Sequence, residues 1–490
     1  MKGNSVPESA AHPANTSGVP QSFSGQSVED ADMRSDCAAE HLRRTGPKAR
    51  MGAMDWRDGT LASADVVICG GGPAGVLAAL AAARLGAGVI LVEQTGCCGG
   101  MATSGLVPAV IHLSDRRHWV SSGMPLDLMA RMARRMGLDG VDPIWQHIDP
   151  EVLKRLMDEM LAEAGVEVLF CMKLAMAEVI DGRVASILAA GCRGLCRIAG
   201  KVFIDCTGDG LLSALAGASF ECGDPSGRVM SPTLCVQYSN IDLQAVRDAG
   251  VRGDRVGRLW MEHKAEIPLD EYHIVGVSEY GSGSGSGNLG HVYGADPIDE
   301  RSLSHAYAEG RRVAKVMHDF YRRFVPGFEK SDLVGTASLL GVRESRRIEC
   351  DRRLTIDDYR ARRHFDDEIG CFYYPIDIHA SSTDASEQRE VGARMQRTAY
   401  SPGENYGIPY RALTVKGLAN LLVAGRCICT DRAMMASIRV MSGAMITGRA
   451  VGFAAALSAA GSGAVREVDF AQLRRRLRED GAYLPDRHGA

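Results

Sequence analysis

The chain has 490 residues, 46% of them hydrophobic and 24% charged, and a formal net charge of −4. That is a globular composition, too long for one simple core, so two interleaved domains are expected. The mild acidity implies no nucleic-acid partner, and no run of eighteen apolar residues marks a membrane span. The 14 cysteines are scattered through apolar segments, as at Cys69, Cys171, Cys206 and Cys235, which suits a reducing, cytoplasmic setting rather than a disulfide framework.

Residues 1–62 are rich in Ser, Gly, Pro, Ala and charge and have no hydrophobic periodicity. They read as a disordered leader. The segment has no apolar core for a secretory signal, and it carries more acids than a transit peptide would. Met51 and Met54 are alternative starts.

The rest is organised around Asp65–Thr103. Val66–Cys69 reads as a buried parallel strand, followed by Gly70-Gly71-Gly72-Pro73-Ala74-Gly75, an Ala/Leu-rich helix to about Leu85, and a second strand, Val89–Val92, ending on Glu93. This is a full βαβ opening with a G-x-G-x-x-G turn. Gly70 permits the tight turn, Gly72 lets a pyrophosphate approach the backbone, and Gly75 lets helix and strand pack closely. Pro73 and Ala74 begin the helix, whose free N–H groups and dipole favour a diphosphate. Glu93 stands where a carboxylate can accept hydrogen bonds from a ribose.

Next comes Gly99-Gly100-Met101-Ala102-Thr103, a glycine pair that lets backbone run close to a flat ring or a phosphate. Cys97-Cys98 just before it reads either as a redox pair beside a flavin or as a plain spacer. Ser121–Leu138 has the apolar spacing of a core helix, and Asp149-Pro150 opens a helix over 151–164 that Gly165 ends. A strand over 166–170 and a hairpin about Asp181-Gly182 follow. Cys192 and Cys196 read as two small residues in a turn rather than zinc ligands, and no metal is expected.

Lys201–Cys206 is another apolar strand, running into Thr207-Gly208-Asp209-Gly210 and a short helix. Asp209 suits a ribityl or ribose contact, an N-cap, or both. Residues 218–405 change character and read as an inserted domain. Within it Gly281–Asn288 reads as a flexible loop, and Arg301–Phe324 as a long amphipathic helix. Gly341-Val-Arg-Glu-Ser-Arg-Arg-Ile348 is either an anion clamp, through Arg343 and Arg346, or an interdomain salt-bridge cluster. Tyr373–His379 reads as a strand with Asp377 and His379 on one side.

The segment 406–460 returns to the first domain. Ala419–Gly425 is a buried parallel strand ending in glycine, with Arg426 after it. Arg439-Val-Met441-Ser442-Gly443 starts the last long helix, and residues 461–490 form a tail with a surface helix over 470–479. A dinucleotide motif at the start with a matching strand and helix at the far end suits a flavin better than a nicotinamide. The helix start at Met441–Gly443 would aim positive dipole at the pyrimidine edge of the ring.

As a set and in order, GGGPAG, GGMAT, TGDG, GVRESRRI, YPIDIH, YGIPYRAL, NLLVAGR and the helix from Ser442 through Gly448 resemble the FAD-dependent oxidoreductases of the glutathione-reductase-like superfamily, in the fumarate-reductase-like branch of bacterial flavoproteins. The resemblance runs from about Ala64 to Leu484. It implies an α/β fold, with a Rossmann-like FAD/NAD(P)-binding domain (three-layer ββα) and an inserted α+β substrate domain. It also implies FAD contacts at Gly70, Gly72, Gly75, Glu93, Gly100, Met101, Asp209, Gly425 and Arg426. Cys98 stands where the family often has leucine, and the last helix reads SGAMITGRAVG in place of a more alanine-glycine-rich form. No histidine stands at a covalent attachment site, so the FAD is expected to be noncovalent.

The expected activity is a dehydrogenase or oxidase acting on a small organic substrate, with O2, NAD(P) or a carrier as electron acceptor and a homo-oligomer allowed. His379, His112, Arg343, Arg346 and Arg439 are the catalytic candidates, the histidines as bases and the arginines holding a carboxylate or oxyanion. A flavin monooxygenase or halogenase ranks second, because neither a Gly-Asp-Ala-Ala-His nor a W-x-W-x-I-P pattern is present. A flavin-binding redox protein using Cys97-Cys98 ranks third.

Overall fold

The computed structural model describes residues 60–271, 274 and 276–485. The expected leader lies outside the described residues up to 59, but its last three residues, 60–62, are already strand. β1 (Thr60–Cys69), α1 (Pro73–Arg84) and β2 (Val89–Val92) make the opening βαβ unit. β1 starts well before the apolar run because Thr60 and Ala62 pair with a later strand. Pro73 sits at the first turn of α1, where its missing N–H costs nothing. β3 (Ala109–Ile111), α2 (Met124–Arg135), β4 (Trp145–His147) and α3 (Pro150–Glu163) follow. Asp149 caps α3 by accepting the Glu151 and Val152 N–H groups, and the Met124, Leu128 and Met132 stripe of α2 is buried core.

β5 (Glu167–Leu169) leads to three long antiparallel strands, β6 (Lys173–Ile180), β7 (Arg183–Gly191) and β8 (Gly194–Asp205), before α4 (Leu211–Leu215). The β6–β7 turn places Asp181 and Gly182 at φ of 48° and 71°, as a tight hairpin requires. Cys196 is buried on β8 rather than in the turn, because that strand begins earlier than its apolar run.

The middle of the chain supplies β9 (Phe220–Cys222), β10 (Val236–Ser239), α5 (Leu243–Asp248), α6 (Gly253–Glu262), β11 (Ser278–Glu279), β12 (Gly285–Gly287), α7 (Glu300–Phe324), β13 (Asp332–Thr336) and β14 (Arg346–Ile348). After these come α8 (Ile356–Arg360), β15 (Glu368–Phe372), α9 (Ala385–Arg397), β16 (Tyr406–Pro409), β17 (Leu421–Val423), α10 (Arg432–Ile438), α11 (Met441–Ala459) and α12 (Phe470–Glu479). Two expectations change here. The Gly/Ser run is a loop only in its first half: residues 281–284 turn, and Gly285–Gly287 form β12, which is buried and pairs with both β10 and β11. A Cβ on Gly285 or Gly287 would come within 3 Å of Val277 or Leu289, so the missing side chains make room for this strand. Tyr373–His379 is not a strand. The ladder ends at Phe372, opposite Tyr406.

The main sheet has the order β5-β2-β1-β8-β7-β6, and β17 joins β8 along its last three residues. Cys69 lies opposite Val92 and Asp205, and Asp205 lies opposite Val423. Four parallel strands therefore end at one edge, where ligands of such sheets bind. A second sheet, β11-β12-β10-β13, has its own buried cluster with Tyr238, Trp260, Met317 and Phe320 of α6, α7 and β10. A smaller cluster includes Leu106, Leu234, Val292 and Leu340. No single helix among the described residues is long and apolar enough to cross a membrane.

Candidate functional site

A cavity of about 670 Å³ opens at the shared strand edge. Gly70, Gly72, Pro73 and Ala74 line it from the first turn, and Glu93 lines it from the end of β2. Gly70 adopts φ 99°, and a Cβ on it would fall 2.5 Å from the Cys206 carbonyl oxygen. A Cβ on Gly75 would fall 1.9 Å from the Gly70 carbonyl oxygen, so Gly75 serves close helix–strand packing and does not line the cavity. A Cβ on Gly72 would meet nothing within 4 Å. No side chain caps α1 there, which leaves its first N–H groups to a ligand. Glu93 is buried. Its Oε2 accepts the Gly71 N–H (2.7 Å), and its Oε1 accepts the Thr95 N–H and hydroxyl (both 2.7 Å).

Gly100 and Met101 also line the cavity, whereas Gly99, Ala102 and Thr103 lie behind them. Gly99 donates its N–H to the Gly71 carbonyl, and Thr103 donates its hydroxyl to the Cys98 carbonyl, so both brace the turn. Neither Cys97 nor Cys98 reaches the cavity. Burial pushes the Cys98 thiol far up, which leaves it inert.

From the third strand edge, Gly208 and Asp209 line the cavity, and from the fourth Gly425 and Arg426 do. Asp209 is not an N-cap. Thr207 Oγ1 and Asp205 accept the N–H groups at the start of α4 instead, from Leu211 and Ser213. Asp209 accepts the Ser345 hydroxyl (2.7 Å) and pairs with Arg426 (2.5 Å). Arg426 also donates to the Gly208 and Val342 carbonyls, so it ties the turn to the GVRESRRI segment. Met441 lines the cavity at the N-terminus of α11. Ser442 and Gly443 do not. Ser442 donates to the Ile111 carbonyl (2.7 Å), and Gly443 packs on that of Ile438.

At the other end of the cavity polar groups converge. Arg343, only 5% exposed, donates to the Ser231 carbonyl (2.7 Å), Thr233 Oγ1 (3.0 Å) and Asn288 Oδ1 (3.3 Å). It has no carboxylate partner among the described residues. Burial and the neighbouring Arg439 lower its pKa to about 10. Arg439 donates to Asp377 Oδ2 (2.9 Å), and Asp377 lies 3.3 Å from His379 Nε2. Burial pushes the Asp377 carboxyl up, but the Arg439 and Arg343 guanidiniums more than reverse this and hold it ionised. Burial and then Arg343 bring His379 down to about 3, so its ring is neutral. His379 Nδ1 meets His291 Nε2 at 2.9 Å, and His291 Nδ1 meets Glu271 Oε1 at 3.0 Å.

Two catalytic candidates fall outside the cavity. Arg346 donates to the Asp209 carbonyl (3.2 Å) and lies over the Phe220 ring. His112 packs between Tyr373 and Tyr374. The rest of the arginine segment is an ion-pair cluster: fully buried Glu344 is held by Arg347 and Arg432. The segment thus divides, with Arg343 on the cavity and Arg347 in the structural pair. Sequence reasoning missed Glu271, His291, Asn288 and Tyr374. Asn288 and His291 follow the Gly/Ser run, and reading that run as a strand would have placed them beside β10. Outside the cavity, His364, Glu368 and Cys371 have ligand atoms within 4.8 Å of one another and already bond to each other through Glu368.

The family model described as FAD dependent oxidoreductase matches residues 65–477. The chain belongs to the FAD dependent oxidoreductase family. Digeranylgeranylglycerophospholipid reductase 2 of Methanopyrus kandleri is 28% identical over 198 residues, which are 38% of this chain and 46% of that protein. This chain therefore spans less than half the length of that curated relative. Among solved structures, a geranylgeranyl bacteriochlorophyll reductase-like protein from Thermoplasma acidophilum is 12% identical, with 85% of this chain and 82% of that chain covered and a TM-score of 0.40. For p-nitrophenol 4-monooxygenase from Pseudomonas putida the values are 13%, 87% and 90%, and 0.40. As an FAD dependent oxidoreductase the protein is an enzyme with FAD as cofactor. The bare α1 N-terminus, the open space at Gly72 and the acid ending β2 fit that cofactor's adenosine diphosphate.

Proposed function

We infer that the enzyme is a dehydrogenase or oxidase that moves a hydride between a small carboxylate-bearing substrate and noncovalently held FAD. The observation that carries this is Arg343. Arg343 lines the cavity and its hydrogen bonds all go to neutral oxygens; Asp377 nearby offsets its buried charge without bonding it, so an anion that bonds it directly is favoured. A substrate carboxylate supplies that charge and gains a charge-assisted hydrogen bond. Bound FAD supplies hydride acceptance and return. The α1 N-terminus and Gly72 would hold its diphosphate, Glu93 its ribose, and the α11 N-terminus its ring end. His379, neutral and beside Asp377, accepts the substrate proton. Arg439 keeps Asp377 ionised and in place.

In this reading residues 63–217 and 406–460 hold the cofactor. Residues 218–405 are an inserted substrate domain that supplies Arg343, His379 and His291, and 461–490 are a tail. The charged end of the cavity favours a small acid over the prenyl lipid for which the archaeal relative is named. The test is anaerobic bleaching of the flavin by a panel of 2-hydroxy, 2-amino and unsaturated or saturated dicarboxylic acids, with a prenyl lipid as control. An acid should bleach the wild type, and Arg343→Gln should retain FAD but need at least ~100-fold more substrate. Bleaching by the lipid alone sinks the reading. Oxygen-dependent hydroxylation at the expense of NADPH selects a monooxygenase instead.

A further inference from the structure

Past the turn that follows β17, three segments mesh. Cys350 pairs with Val415, and Leu354 with Thr430, as single β-bridges. The Leu354 N–H donates to the Cys429 carbonyl (3.0 Å), and the Cys429 N–H donates to that of Ala412 (3.2 Å). This weave brings two cysteines from distant segments together. The Cys350 thiol and the Cys350 main-chain N–H both donate to the Cys429 sulfur, and so does the Arg353 guanidinium. Cys350 is 5% exposed and Cys429 is 2% exposed. The Arg353 side chain is 42% exposed and pairs with Glu221 (2.7 Å), so Cys429 bonds to a group that itself reaches solvent.

These donors make the two sulfurs unequal. The Cys350 thiol, its main-chain N–H and the Arg353 charge bring Cys429 down to about 7, against the effect of burial. About half of Cys429 is then thiolate at neutral pH. Burial and the neighbouring Cys429 push Cys350 up, so it stays a thiol. Cys427 and Asp351 push Cys350 the same way, and Lys416 also faces Cys429. Burial pushes Cys69, Cys98, Cys206, Cys235 and Cys427 up as well. Cys429 goes the other way. A thiolate bonded to a neutral thiol is an attacking sulfur with its resolving partner already in place.

We propose that Cys429 and Cys350 are a modification site, a thiol pair that hydrogen peroxide oxidises to a reversible disulfide. The Cys429 thiolate attacks one peroxide oxygen. An S–O bond forms, the O–O bond breaks, and the departing hydroxide takes a proton from solvent to leave as water. The Cys350 sulfur then attacks the Cys429 sulfur. An S–S bond forms, the S–O bond breaks, and the second hydroxide leaves as water with the Cys350 proton. The two sulfurs lose two electrons, and the peroxide gains them. Cys350 follows β14 and the segment that carries Arg343, and Cys429 follows Gly425 and Arg426. The disulfide therefore ties together two segments that line the cavity.

The experiment treats FAD-loaded enzyme, without substrate, with a small excess of hydrogen peroxide at pH 7. The protein is then alkylated under denaturing conditions and digested with trypsin for mass spectrometry. The peptides 348–352 and 427–432 should appear joined, with the loss of both thiols from alkylation, and dithiothreitol should restore them. Cys427 shares the second peptide, and fragmentation of the joined pair should place the bond on Cys429. Cys350→Ser should instead leave a sulfenic acid on Cys429 that dimedone traps. A bond on Cys427 overturns the proposal, and so does oxidation confined to the exposed Cys171 and Cys192. A folded Cys350→Ser protein that dimedone does not label at Cys429 also overturns it. The wild-type measurement decides if that variant fails to fold. No substrate takes part, so the result is independent of the flavin-bleaching test.

Discussion

A methyl group added at Gly72 would meet no protein atom within 4 Å, whereas one at Gly75 would be 1.9 Å from the Gly70 carbonyl oxygen. The two glycines of one turn therefore do different work. Gly72→Ala should leave the apo protein's stability within about 1 kcal/mol of wild type while weakening FAD binding at least ~100-fold, read by urea unfolding and flavin fluorescence quenching. Gly75→Ala should yield no folded protein. The spacing of these glycines and the acid at Glu93 were legible in the sequence, because phosphate recognition by a helix start is local. The substrate end was only half legible. Arg343, Arg439 and His379 stand in motifs, but Glu271 and His291 have no local signature. Their meaning lies in a contact between segments that only the packed second sheet brings together.

Among the elements, α1 and α11 approach backbone to backbone. A Cβ on Gly448 would be 2.1 Å from the Ala74 carbonyl oxygen, and one on Gly452 would be 2.2 Å from that of Ala78. Close approach of this kind needs glycine, since neither helix can yield without moving the sheet beneath it. Gly448→Ala should cost about 3 kcal/mol in urea unfolding and lower FAD content, because it displaces the first turn of α1. The helix itself was plain from its alanine-rich run, but the reason for its glycines was not. The opposite error concerned β12. Glycine and serine alternating without bulk look like a linker, yet after a turn Gly285–Gly287 form an inner strand because Val236, Val277 and Leu289 occupy the space that side chains would need.

At the scale of the molecule, acid sensitivity follows from buried neutral histidines. His112 is brought down to about 4 by burial and by Arg116, and His379 to about 3. His147, His291 and His318 are lowered in the same way by burial. Unfolded, each titrates near 6.5. The unfolded chain therefore binds protons that the folded one refuses, so stability is full above about pH 6.5 and is lost as pH falls toward 4. The ladder can be dissected at His112, which adopts φ 55° and tolerates asparagine. His112→Asn should lose about 2 kcal/mol less than wild type between pH 7 and pH 5 in urea titrations. Equal losses would mean that His112 is charged in the folded protein.

The pairing of α1 with α11 also sets a timetable. During synthesis, the chain from Arg84 to Met441 takes roughly 20 to 70 seconds to emerge at ordinary elongation rates. For that interval the alanine-rich flank of α1 waits at the ribosome without its neighbour, and β8 lacks β17 along its last residues. The coenzyme can be gripped at one end only, so its full capture belongs to the last stage of biogenesis. A pulse-chase with early addition of free FAD should not hasten protease resistance until the nascent polypeptide has passed Ala459.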